Sequence, residues 1–548
     1  MKGWHYEPVV QVSQVGYLTG QKKTAVIERD KRDEQLAEAR LIRLTASGEE
    51  QVKSLPTTEW QGSFLRYRYA LADFSDVEQP GLYYVDYNGS RSTLFRIGDD
   101  VYDRGVWQPV VEYFLPVQMC HMRVSEKYKV WHDSCHMDDA LMAQSGNHID
   151  GYIQEADNHT HHQPGDLVPG LNTGGWHDAG DFDLRVESQA GECYILAMTY
   201  EQFHPEIDAT TINQQHHTVE IHQPDGRNDI LQQIEHGALS VVAGYKALGR
   251  LYRGIICNNL RQYVLLGDAA AMTDGKPGNA DDRWVFTEVN PTRELTTAAH
   301  LAATSRVLQG FNDDLADNCL AIARALYDSV PAATSRAEQC KIQTASELYI
   351  TTREPIYLNY ITSHPAAITA SNLAVLARVE PLVSADKTKA VVRWRKTYRE
   401  ALEQYSRQLA QMVAETPYGV PYRPSIWGAG WDIQRFGMEN YFLAKQYPEL
   451  FPSAPIHNAL HFILGCHPGT NRRSFAGGVG TESTTVGYGL NRAEWSYIPG
   501  GVVSGTALIR PDFPELLVFP YLWQQVEYVL GGGSSNYMFL VLAAKALK

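Results

Sequence analysis

The chain has 548 residues, 44% of them hydrophobic and 20% charged, with a formal net charge of −15. That length exceeds one ordinary core, so more than one domain is expected. The acidic balance argues against nucleic acid or an anionic membrane as partner, and no run of about eighteen apolar residues is present to span a bilayer. The first residues, Met1-Lys2-Gly3-Trp4-His5, contain no apolar export core. Seven cysteines, an odd number, suit reduced thiols or a metal better than a disulfide framework. Both features lead us to expect a cytoplasmic protein. Eleven Trp and 31 Tyr offer flat faces that fit sugar rings, although cores consume most aromatics.

Residues 1–98 read as β. Leu65, Tyr67 and Tyr69 alternate with Arg66 and Arg68; Tyr83, Val85 and Tyr87 alternate with Leu82, Tyr84 and Asp86. Pro80-Gly81 and Asn88-Gly89 are turn signals. Short strands at this spacing predict a sandwich of immunoglobulin type. From residue 99 onward the period changes. Val186, Ala190, Cys193 and Ala197 recur at helical spacing, as do Leu295, Ala298 and Ala302, and Leu402, Tyr405, Leu409 and Met412. Residues 99–548 are therefore expected to form a large all-helical domain. Long loops at 147–175 and 467–513 interrupt it, and loops of that length are usually functional or mobile.

The most informative stretch is Gly174-Gly175-Trp176-His177-Asp178-Ala179-Gly180-Asp181-Phe182-Asp183. Two carboxylates three residues apart on a glycine-bearing turn suit general-base activation of a water: one takes the proton while the other helps to hold the water. The plainer alternative is a helix start, since Asp is a good N-cap.

This run closely resembles the signature of glycoside hydrolase family nine. Other segments resemble that family in the same order. Gln11-Val12-Ser13-Gln14-Val15-Gly16-Tyr17-Leu18 is similar to the opening of the immunoglobulin-like domain found in one branch. Asn228-Asp229-Ile230-Leu231 with Glu235-His236-Gly237 resembles its next helix. His461-Phe462-Ile463-Leu464-Gly465-Cys466-His467-Pro468 is similar to a late segment. The resemblance implies an (α/α)6 barrel after the β domain, and hydrolysis with inversion. It assigns Asp181 as general base, Asp178 as the water's positioner and Glu527 as general acid. Inversion needs acid and base about 6.5–9.5 Å apart across the bond. If residues 521–530 are helical, Trp523 shares a face with Glu527 and helps keep it protonated. The Gly531-Gly532-Gly533-Ser534-Ser535-Asn536 run departs from the family's step after its acid, which leaves Glu515 as competitor.

Cys120, Cys135, His136 and His177 supply two sulfurs and two imidazoles, a tetrahedral zinc set. Their spacing matches no standard finger, and buried free thiols are the ordinary alternative. The resemblance implies a structural zinc here, tying the loop between Cys120 and His136 to the carboxylate turn and bringing Asp138 and Asp139 near it; a calcium site is left open. His159, His161 and His162 read as a solvated loop.

The family's usual His-His-Arg segment is missing; the stretch around Tyr488, Arg492 and Trp495 stands in its place. Those three, with Trp427 and Trp431, are candidate sugar contacts, and Asp139 is a candidate partner for a glucosamine ammonium. The expected substrate is a short β-1,4-linked oligosaccharide cut from the non-reducing end, by exo-β-glucosaminidase or β-glucosidase action. An endo-β-1,4-glucanase and an inactive sugar-binding protein are the alternatives. Oligomeric state is not readable.

Overall fold

The computed structural model describes residues 5–111, 115–178, 182–257, 276, 282–424, 428–484, 499–505 and 534–547. The first part holds ten strands: β1 (Val9–Gln11), β2 (Gly16–Tyr17), β3 (Thr24–Arg29), β4 (Ala39–Thr45), β5 (Gly48–Leu55), β6 (Thr57–Glu59), β7 (Arg68–Asp73), β8 (Gly81–Tyr87), β9 (Ser90–Arg91) and β10 (Phe95–Ile97). They form two sheets, β1-β3-β7-β6 and β2-β10-β8-β4-β5, with β9 on β8. The antiparallel register sets Val26 opposite Leu71 and Leu41 opposite Val85. Side chains of period two from both sheets meet in one core that includes Val10, Ile27, Leu41, Ala72, Val85 and Phe95. Tyr83, Val85 and Tyr87 point inward as the alternation predicts. Asn88 and Gly89, with φ of +52° and +85°, make the tight turn that pairs Tyr87 with Ser90.

The alternation from Leu65 fails locally. Leu65 has a φ of +50°, and β7 begins only at Arg68. The segment before it covers the helical part instead, where Phe64 packs edge-on against Tyr418 and Tyr422. Polar contacts extend this junction. Gln14 N–H donates to the Leu464 carbonyl at 2.8 Å, Tyr418 donates to Gln11 Oε1 at 2.7 Å, and the Gln21 amide meets His461 Nε2 at 2.6 Å.

The described residues beyond it contain twelve α-helices: α1 (Leu115–Gln118), α2 (Val186–Phe203), α3 (Asp229–Leu248), α4 (Pro291–Leu308), α5 (Asp313–Ser329), α6 (Ser335–Thr352), α7 (Pro355–Ser363), α8 (Leu373–Val379), α9 (Lys389–Ala414), α10 (Gly430–Gln446), α11 (Ala454–Ile463) and α12 (Ser534–Ala546). Val186, Ala190, Cys193 and Ala197 are fully buried along α2, and Leu295, Ala298 and Ala302 along α4. Asn228 caps α3, its Oδ1 accepting from Ile230 N–H at 3.0 Å. Contacts run α2–α4–α6–α8–α10–α12 and back to α2, a closed inner ring. The helices α3, α5, α7, α9 and α11 each follow an inner helix in the chain and flank that ring. This is an (α/α)6 barrel. A hairpin, β11 (Arg123–Glu126) and β12 (Lys129–His132), and a four-stranded sheet of Leu141–Met142, Arg283–Phe286, Gly254–Cys257 and Leu184–Arg185 lie in the connections near the start of α2. No described helix is long and apolar enough to cross a membrane.

Candidate active site and metal centre

The turn that carries Asp178 does not cap a helix. The N-cap of α2 is Arg185, and Asp178 stands well before it. Backbone geometry explains the two leading glycines. Gly174 and Gly175 have φ of +65° and +87°, and a Cβ on Gly174 would come within 2.3 Å of the His236 carbonyl oxygen. His236 Nε2 then reaches the Gly175 carbonyl at 2.7 Å. Trp176 is locked by reciprocal bonds with Gln189, at 2.9 and 2.8 Å, and by its indole N–H on Gln233 at 3.0 Å. Asp178, 5% exposed, receives Arg185 Nε at 3.1 Å, and the same guanidinium holds Asp183 at 2.7 Å. Tyr152 O–H donates to that Asp183 carboxylate. The turn is thus over-determined before any ligand arrives. Asp181 lies outside the described residues.

The four expected metal donors converge, each buried, with their ligand atoms all within 4.8 Å of one another. Cys120 Sγ lies 4.0 Å from Cys135 Sγ and 3.8 Å from His136 Nδ1, and Cys135 Sγ lies 3.6 Å from His177 Nε2. A tetrahedral ion with bonds of ~2.3 Å to sulfur and ~2.0–2.1 Å to nitrogen has donor separations of about 3.6–3.8 Å. The S–S and S–N separations are close to those values, so the donor set suits a tetrahedral metal ion. Burial raises the Cys120 thiol, but a hydrogen bond from Cys135 and the charge of Arg283 outweigh it and hold Cys120 well below the usual thiol range. His136 keeps its second nitrogen for Cys257, whose Sγ lies 3.8 Å from Nε2, the outer contact that fixes a ligand's ring and tautomer. His177 follows directly on the turn's Trp176, so the metal centre and Asp178 share one backbone segment.

Asp139 is placed differently from its expected role at the sugar. It is 4% exposed, and its Oδ2 is taken by Arg283, with His121 Nε2 at 3.5 Å. Its charge is already matched inside the protein, which removes the reason to assign it a sugar ammonium. Arg283 itself is fully buried and also donates to Cys120 Sγ at 3.3 Å and to the Phe182 carbonyl at 2.8 Å. Neither Arg283 nor Cys257 was foreseen; both sit more than a hundred residues from their partners, and no local pattern marks them. Arg185 carried a signal, a cation directly behind a run of acids. Glu527, Glu515, Trp427, Tyr488, Arg492 and Trp495 lie outside the described residues. His159 and His161 are exposed, as a solvated loop should be.

A cavity of about 500 Å³ opens inside the ring. Its wall takes Tyr194 from α2, His300 from α4, Gln343 from α6, Trp431 and Glu439 from α10, and Asn536 from α12. Most of these stand in the first half of their helices, so the cavity opens where the inner helices begin, the end at which the Asp178 turn enters α2. Among the described residues, His300 Nδ1, Trp431 Nε1 and Asn536 Oδ1 are buried without a hydrogen-bond partner, and none of the three atoms has surface on the cavity. The wall also takes Gln339, Gln343, Arg435 and Glu439, polar side chains that suit a ligand rich in hydroxyl groups. A smaller cavity of about 80 Å³ shares Tyr194, Gln343 and Glu439 and reaches Arg378. There Arg378 and Arg306 clasp Glu347 and Glu201 at 2.5–3.1 Å, closing the floor with a buried ion network.

Comparison with known proteins agrees with this architecture. Residues 112–488 match the sequence model of glycosyl hydrolase family 9, and residues 5–92 match that of the cellulase N-terminal ig-like domain. Endoglucanase D of Acetivibrio thermocellus is 22% identical over 264 residues, 47% of this chain and 36% of that protein. Cellodextrinase of Butyrivibrio fibrisolvens is 27% identical over 193 residues, 35% of this chain and 30% of that protein. The chain thus aligns with about a third of the length of each. Among solved structures, a Bacteroides ovatus GH9 protein superposes with a TM-score of 0.75 at 19% identity, covering 98% of this chain and 99% of that one.

Proposed function

The chain belongs to glycosyl hydrolase family 9, and from that premise we propose that it cleaves β-1,4 linkages of short oligosaccharides with inversion, releasing sugars from the non-reducing end by exo-β-glucosaminidase or β-glucosidase action. The observation that carries the reading is topological. The Asp178 turn leads into α2, and Glu527 precedes α12 in the chain; α2 and α12 are neighbours in the inner ring, joined where Ser535 O–H meets Glu192. That α2 and α12 are neighbours supports assigning base and acid to the stretches that precede these two helices in the chain. In this reading Asp181 takes the proton from the attacking water, Asp178 orients that water, and Glu527 protonates the leaving oxygen. Arg185 holds Asp178 in place.

The metal is read as zinc, because two thiolates and two imidazoles fill a tetrahedral shell and leave no open position for chemistry. Its contribution is structural: it holds His177, and so the carboxylate turn, against the base of the β11–β12 hairpin. The names of the two curated relatives support a β-1,4-linked substrate, and Endoglucanase D favours a second reading, endo-β-1,4-glucanase action.

Product analysis separates the two. Wild type is incubated with glucosaminyl-β-1,4-glucosamine, cellobiose, longer oligomers and soluble cellulose, and the anomer released is followed by NMR. The expected outcome is monosaccharide first, in the α-anomer, with Asp181→Asn lowering kcat about 10²- to 10⁴-fold. Falling viscosity ahead of monosaccharide would replace the exo reading by the endo one. Activity that survives Glu527→Gln would move the acid to Glu515.

A further inference from the structure

Helix α10 turns a charged face to the cavity. Asp432, Arg435 and Glu439 follow one another at spacings of three and four and lie along one side of the helix. All three have accessible surface, and for Glu439 that surface belongs to the interior: it lines both the larger and the smaller cavity. The surrounding protein is dense enough that desolvation raises its carboxyl above the ordinary glutamate range, against the opposing pull of Arg435.

Several other carboxylates on and near this ring are matched. Arg435 is committed to Asp432. Glu347 and Glu201 are held by Arg306 and Arg378, Asp178 and Asp183 by Arg185, and Asp139 by Arg283. Glu439 receives no hydrogen bond and no ion pair from the described residues. A partly desolvated carboxylate left unmatched costs stability, and such groups persist where a ligand completes them. The wall around it points the same way. His300, its pKa pushed down to about 4 by burial, lines the cavity beside Gln339, Gln343 and Asn372, polar side chains that suit a hydroxyl-rich ligand.

We propose that Glu439 is a specificity-determining residue of this cavity, reading a protonated amino group on the bound sugar through a charge-assisted hydrogen bond. The inference rests on the reading of the cavity as the sugar site, and it assigns the substrate class as amino sugars with a free ammonium rather than neutral or N-acetylated ones. Polar wall residues such as Gln339 and Gln343 serve the hydroxyl groups, and Glu439 supplies the discrimination. A site that sets an unmatched charge against the ligand rejects the analogue that leaves it unpaired far more strongly than a merely apolar wall does.

The test compares wild type with Glu439→Gln, a near-isosteric change that removes the charge. Binding of glucosamine, glucose and N-acetylglucosamine is measured by calorimetry, and kcat/KM is measured for glucosaminyl-β-1,4-glucosamine and cellobiose. Wild type is expected to bind glucosamine more tightly than either neutral sugar. Glu439→Gln is expected to lower the amino-to-neutral ratio, in binding and in kcat/KM, by about 10- to 100-fold. An unchanged ratio in the variant overturns the assignment, as does a wild type with no preference for glucosamine. If wild type hydrolyses none of these disaccharides, the proposed function fails, and the monosaccharide binding ratios still decide the role of Glu439.

Discussion

Asp178 and Arg283 show how single side chains here serve two structures at once. Asp178 shares the Arg185 guanidinium with Asp183, so its orientation is set by the strand and turn that deliver it to α2. Arg283 contacts Asp139, the Cys120 sulfur and the carbonyl of Phe182, the residue that follows Asp181. One planar fork therefore joins the metal centre to the carboxylate turn, and an ammonium cannot reproduce that geometry. Arg283→Lys is expected to weaken metal binding about 10- to 100-fold in competition with a chelator, the usual effect of losing an outer-shell contact. Metal affinity unchanged in that variant would reduce Arg283 to packing. The donors Cys120, Cys135, His136 and His177 were legible through the family resemblance, since their spacing matches no standard finger. Arg283 and Cys257 were not, because nothing in their own neighbourhoods distinguishes them from any buried arginine or thiol.

At the scale of elements, the 174–183 stretch is where local pattern and tertiary demand diverge. Read locally, Asp before an apolar helical period is a cap, yet Arg185 occupies that place and the Asp stands on a turn pressed against α3. Gly174 is indispensable there, because a side chain would need a positive φ and would strike the His236 carbonyl. Gly174→Ala is expected to cost about 2–3 kcal/mol and to lower both the melting temperature and kcat, checked by calorimetry and by initial rates on the same preparation. The β11–β12 hairpin stands between Cys120 and Cys135, so the metal would close its base. Chelation, or Cys135→Ser, is expected to loosen that hairpin and the turn together, seen as faster amide exchange in both and little change in the β domain.

The whole molecule depends on buried neutral histidines at its two main junctions. His236 bonds the carboxylate turn to α3, and His461 meets Gln21 and packs on Tyr17 across the β–helical boundary. Burial pushes both down to about 3 from the ordinary value of 6.5. A histidine whose folded pKa is depressed is protonated first in the unfolded chain, so its contribution is present above 6.5 and is lost as pH falls from 6.5 toward 3. Each such group adds a slope of up to about 1.4 kcal/mol per pH unit in that window. The melting temperature is expected to fall steeply below pH 6.5, and His461→Gln, which keeps a polar partner for Gln21, is expected to flatten that fall. An equally steep profile in the variant would remove His461 from the account.

Period-two and period-3.6 patterns determined the β-then-helical order, because a side chain's facing depends on local backbone geometry alone. Residue chemistry marked the metal donors and the carboxylate pair as candidates, and the resemblance to the family chose them over a helix cap and buried free thiols. What only the tertiary structure decided depends on distance across the chain. Closure of six helices into a ring put α2 beside α12 and made the cavity between them. It also buried Asp139 under Arg283 and left Glu439 facing the cavity without a partner among the described residues, since whether a charge is matched depends on which distant element folds against it.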